Sequence, residues 1–63
     1  MTKRQREVVE LVRQGLTYRE IGEQLGISDE TVRVHVSNVA LRNGITTKPL
    51  RWVITHAAKL LAA

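Results

Sequence analysis

Arg33, Asn38 and Val34 are the side chains whose chemistry is most readily put to use in this sequence. An arginine fork donates two parallel hydrogen bonds to guanine, an asparagine amide pairs with adenine, and a valine methyl touches the methyl of thymine. The three lie on or beside one side of a helix. If Val32, Val36 and Val39 turn inward, a rotation of about 100° per residue puts Glu30, Val34, Ser37 and Leu41 opposite, with Arg33 and Asn38 flanking them. That face is small, neutral to basic and able to hydrogen-bond, and a major groove admits one α-helix. As an ordinary solvent-facing side it would leave an exposed Val34 and Leu41 without a task. Glu30 fits less well, because phosphates repel a carboxylate. It belongs at the rim, or accepts from cytosine.

Other chemistry is poorly supported. There is no cysteine, so neither a disulfide nor a thiolate metal site is expected. The two histidines, His35 and His56, are far apart in the chain, and no metal or cofactor is expected. No nucleophile–base pair, carboxylate pair or glycine-rich phosphate loop stands out, so the sequence does not read as an enzyme and no catalytic residue is assigned. His35 falls beside the valine stripe and reads as a packing or hydrogen-bonding histidine. His56 is uninformative by itself. No apolar run approaches the ~20 residues of a membrane span. Charges begin at Lys3, unlike a signal peptide. These features predict an intracellular protein.

The elements that must position these residues are helices. Glycine is sparse, proline occurs once, and apolar residues recur at threes and fours. A first helix is predicted from about Lys3 to Gln14, capped by Thr2 with Gln5 at the reciprocal position and ended by Gly15, after which Leu16 folds back. A second runs from Tyr18 to Leu25 behind another capping pattern, Thr17 to Glu20. Ile21 and Leu25 face inward there, and the mid-helix Gly22 implies that another helix comes very close. Gly26-Ile27-Ser28 then makes a tight corner into the third helix, about 29–43, with Ser28 as its cap and Gly44 beyond its end. Two helices joined by a short glycine turn read as a helix-turn-helix. A fourth helix starts near Pro49. Leu50, Val53, Ile54, Ala57 and Leu61 form one of its faces; Trp52, His56, Leu60 and Ala63 form a second.

The 63 residues make a single domain, 1–63, in the all-α class: a three-helix core with a central helix-turn-helix, plus a C-terminal helix. A chain this size hides roughly 60% of the surface its unfolded form exposes, so a partner would help it. Its net charge of +4 is unevenly placed. Residues 1–31 carry five basic and six acidic side chains. Residues 32–63 carry five basic side chains and no acidic one. A half without acids favours a polyanion, whether nucleic acid or a membrane surface, or is simply a solvated face. Phosphate contacts are expected from the edges. Thr17, Tyr18 and Arg19 open the second helix, whose first amides favour anions, and Thr31 and Lys48 are further candidates.

Several stretches together resemble a known family: Gln5-Arg6-Glu7-Val8 through Gly15, Arg19-Glu20-Ile21-Gly22, Leu25-Gly26-Ile27-Ser28, Thr31-Val32-Arg33-Val34-His35 and Gly44-Ile45. They are similar to the LuxR/GerE-type helix-turn-helix domain, from about Thr2 to Lys48. The resemblance implies a four-helix DNA-binding domain of bacterial transcription regulators, usually dimeric through the last helix, and with it an expected location in the bacterial cytoplasm, on the nucleoid, with the gene carried by a bacterium or a phage. It implies base contacts at the positions of Arg33, Val34 and Ser37, and backbone contacts at Thr31, Arg19 and Lys48. The sequence departs from the pattern in having Lys3 for proline, Gln5 for glutamate, Gly22 for alanine, and Asn43 for a leucine usually buried before the glycine. The resemblance fades after Lys48. The family's usual sensory domain is not in these residues, so the chain is either an excised domain or a small stand-alone regulator, with the starting methionine favouring the latter.

The expected function is sequence-specific binding of double-stranded DNA in transcription regulation, with the 29–43 helix in the major groove. A homodimer through Trp52, His56 and Leu60 is expected, unless Trp52 simply covers the core against the first helix. The alternative is a small protein-binding module, like the promoter-recognition region of sigma factors, that docks on RNA polymerase or on a host regulator.

Overall fold

The structure, a computed structural model, describes residues 1–62. It is all-α: α1 Lys3–Arg13, α2 Tyr18–Leu25, α3 Asp29–Arg42 and α4 Pro49–Ala62. Local chemistry sets most of these ends. At α1, the Thr2 hydroxyl accepts from the Gln5 amide at 3.1 Å, and the Gln5 side-chain oxygen accepts from the Thr2 amide at 3.0 Å. This exchange satisfies two of the helix's free donors and explains why Gln5 tolerates burial. The helix stops at Arg13, with Gln14 as its cap, one residue earlier than expected. The Leu16 amide donates back to the Leu11 carbonyl at 3.2 Å, and Leu16 folds onto the core. Thr17 and Glu20 repeat the reciprocal cap at α2.

The corner between α2 and α3 rests on two glycines. Gly26 takes a left-handed conformation, φ +71°, that lets the Ile27 amide reach the Gly22 carbonyl at 3.0 Å. Gly22 does sit in a close approach, but not against the flank of another helix. A β-carbon there would lie 2.6 Å from the Ile27 carbonyl oxygen and 3.4 Å from the Asp29 amide nitrogen. The backbone of the turn and the first residue of α3 occupy that space. Ser28 then caps α3, its hydroxyl accepting from the Thr31 amide at 3.1 Å. At its other end α3 stops at Arg42, and Asn43 serves as its cap, donating to the Val39 carbonyl at 2.8 Å.

The centre is built almost wholly of β-branched side chains. Val8, Val9, Val12, Ile21, Val32, Val36, Val39 and Val53 are buried together with Ala40 and Ala57. Each of the larger ones contributes about 1.5–3 kcal/mol by leaving water, and their fixed rotamers lose little freedom doing so. Leucines close the edges: Leu11, Leu16, Leu25, Leu50, Leu60 and Leu61 pack partly buried around this core. The helix α4 lies against both α1 and α3. At its far end the Arg6 guanidinium donates to the Leu61 carbonyl at 2.6 Å, placing a cation on the negative end of the helix.

One expectation for α4 needs correction. Ile54 is not part of the core face: it is 55% exposed, and only Val53 and Ala57 are fully buried. The arc facing α1 and α3 is shifted rather than centred as the sequence suggested: it loses Ile54 and takes in Trp52 and Leu60, which pack on the core with Leu50 and Leu61. Ala63, assigned to the second face, lies outside the described residues. No helix among the described residues is long and apolar enough to cross a membrane.

Candidate nucleic-acid interface

Everything the corner does serves to turn one side of α3 outward. Val32, Val36 and Val39 are buried as expected, and Ala40 joins them. The opposite side is free: Val34 is 49% exposed and Leu41 60% exposed. Arg33, Asn38 and Glu30 are exposed, and Ser37 is half-buried. The expected base-reading set, Arg33, Val34, Ser37 and Asn38, therefore stands on or beside one outward face of α3, with no side chain of the core among them. His35 is half-buried beside the valine stripe.

The expected phosphate-contacting residues surround this face unequally. Arg19 is exposed and only loosely paired with Glu23, at 4.0 Å, so its guanidinium remains available. The Thr17 hydroxyl already accepts from the Glu20 amide at 3.2 Å, though it keeps a proton to donate. The hydroxyls of Thr31 and Ser28 share a hydrogen bond at 2.9 Å. Lys48 is exposed, with φ +48°, an unusual conformation for a lysine, and its carbonyl accepts from the Trp52 amide at 3.2 Å as α4 begins. Its backbone thus stands at the positive end of a helix, where an anion is favoured. Tyr18 is half-buried against the core, and burial pushes its phenol above the usual range while the Arg33 charge pulls it down.

Three features of this surface were not legible beforehand. The Arg33 guanidinium lies over the Tyr18 ring, 5.7 Å from its centroid, a contact that the spacing of the two residues in the sequence does not suggest. Thr46 shares a shallow depression with Ser37 and Leu41, because the Ile45 amide donates back to the Ala40 carbonyl at 3.0 Å and folds the chain onto α3. Arg51 shares a depression with Thr47 and Lys48, adding a second cation at the start of α4. Only the return of the chain after Gly44 could have signalled the last two.

On α4 the expected dimer residues form a contiguous strip. The Trp52 and His56 rings stack with centroids 4.5 Å apart, and His56 Nδ1 lies 2.9 Å from the Trp52 carbonyl. With Leu60, Lys59 and Asn43 they line a groove of about 260 Å³. Trp52 and Leu60 also pack on the core, so each is half-covered already. Asn43, exposed beyond the end of α3, forms one wall of this groove.

A capped short helix, a glycine corner and an outward second helix define a helix-turn-helix protein. The chain belongs to the family described as bacterial regulatory proteins, luxR family, whose model matches residues 1–48. It is 49% identical over 45 residues to the spore germination protein GerE of Bacillus subtilis, covering 71% of this chain and 61% of that protein. It is 41% identical over 46 residues to the transcriptional regulatory protein UhpA of Escherichia coli, covering 73% of this chain and 24% of UhpA. To the transcriptional regulatory protein LiaR of Bacillus subtilis it is 33% identical over 61 residues, covering 97% of this chain and 29% of LiaR. This chain therefore spans under two thirds of each of these relatives. The family is one of regulators rather than enzymes. No solved structure gives a significant match.

Proposed function

We propose that this chain, as one domain over residues 1–63, binds double-stranded DNA sequence-specifically to regulate transcription on the bacterial nucleoid. In this reading α3 enters the major groove. Arg33, Val34, Ser37 and Asn38 meet base edges, while Thr17, Tyr18, Arg19, Thr31 and Lys48 meet phosphates. The observation that carries it is the α3 surface: a polar-to-small face with Val34 and Leu41 exposed, raised away from a valine core that needs neither. A homodimer through Trp52, His56 and Leu60 would set two such helices about 34 Å apart on a partly palindromic site. Selection of binding sites from random duplexes tests this. Enrichment of one motif with two-fold related halves is expected; a pool that stays random contradicts it.

A second reading draws on Ile54, an exposed isoleucine on α4 with no place in the core. It makes the domain a docking module for RNA polymerase or for a larger regulator. Capture of polymerase from nuclease-treated lysate, lost in Ile54→Lys, would favour it; capture that disappears with nuclease would return the weight to DNA.

A further inference from the structure

The contact between Arg33 and Tyr18 joins two residues that the proposed function treats separately. Tyr18 is the first residue of α2, and Arg33 lies in α3, across the glycine corner. The guanidinium carbon sits over the tyrosine ring, 5.7 Å from its centroid, within the range of cation–π attraction. Among the described residues no carboxylate pairs with Arg33. The ring is the partner that holds it. Tyr18 is itself fixed, because the ring packs half-buried against the core.

We infer that Tyr18 is a positioning residue for Arg33: its ring holds the guanidinium ready to read one base pair. The inference rests on the proposed DNA-binding function. Attraction to a ring uses the face of the guanidinium, while its N–H bonds lie in the plane and stay free for a guanine or a phosphate. An arginine otherwise keeps much rotamer freedom and loses it on binding, so holding it beforehand favours the fork geometry that distinguishes one base from another. Tyr18 also stands at the first turn of α2, where backbone amides favour a phosphate. One residue then ties the register on the backbone to the base readout. Its hydroxyl serves the first role and its ring the second, which makes the two separable.

The test uses the full chain and its selected duplex. Arg33→Ala first identifies the base pair at which preference relaxes. Tyr18→Leu, which keeps apolar bulk on the core, is expected to lower discrimination at that same pair by about two- to fivefold. Tyr18→Phe, which keeps the ring, should retain it. Adding Tyr18→Leu to Arg33→Ala should cause no further loss of discrimination. Without DNA, NMR should show Arg33 side-chain protons displaced upfield by the ring in the wild type and in Tyr18→Phe, but not in Tyr18→Leu. The inference is overturned if Tyr18→Phe loses as much as Tyr18→Leu, if the loss persists undiminished in the Arg33→Ala background, or if the Arg33 protons do not respond to the ring. If Arg33→Ala relaxes no base pair, the DNA-reading assignment fails and takes the inference with it. If Arg33→Ala relaxes one and Tyr18→Leu does not, only the role of Tyr18 falls.

Discussion

The carbonyl oxygen of Ile27 fills the place where a side chain of residue 22 would begin: a β-carbon on Gly22 would lie 2.6 Å from it. The corner that turns α3 outward depends on this approach, since the Ile27 amide also bonds the Gly22 carbonyl. Gly22→Val should therefore force the turn away from α2. It is expected to lower unfolding free energy by about 1–3 kcal/mol despite removing a helical glycine. Urea denaturation checks this; a valine variant as stable as the wild type would show that the corner is not constrained there.

Arg33→Ala should weaken binding to the selected site by about 1–3 kcal/mol and relax preference at one base pair. Titrating the variant against a panel of single-substitution duplexes gives the answer. A uniform loss across the panel would assign Arg33 to the phosphates instead.

Lys48→Ala should weaken binding to every duplex and make its salt dependence shallower by about one counterion. Lys48→Gly separates charge from backbone, because glycine adopts the φ +48° conformation without steric cost. The glycine variant should match the alanine variant in affinity while being at least as stable. An unchanged salt slope in both would remove Lys48 from the interface.

The strip Trp52, His56 and Leu60 predicts association of two chains. Sedimentation at micromolar concentration should show dimer free or on DNA, and Leu60→Glu should shift it to monomer by placing a charge against the groove. A strict monomer in both states rules out the dimer.

What could be read from the chain was whatever local chemistry decides. Thr2 with Gln5 and Thr17 with Glu20 act across three residues, so their caps were legible and fixed the starts of α1 and α2. Ser28 did the same for α3, whose valine stripe obeyed its period. The helix α4 was harder, because it is apolar over much of its circumference. Whether Ile54 or Trp52 meets the core depends on where α1 and α3 sit, and no repeat within α4 encodes that. The burial of Ala40 is not legible in the sequence, because a methyl group gives little signal in a hydrophobic pattern. The Tyr18–Arg33 contact was invisible for a similar reason: the crossing of α2 and α3 creates it, and neither helix contains it.

The most direct measurement is an NMR titration of the labelled chain with its selected duplex. The largest shifts should fall on Arg33, Val34, Ser37 and Asn38, with weaker ones at Arg19, Thr31 and Lys48. If those α3 resonances stay still while shifts gather on α4 around Ile54, the outward face of α3 does not read DNA.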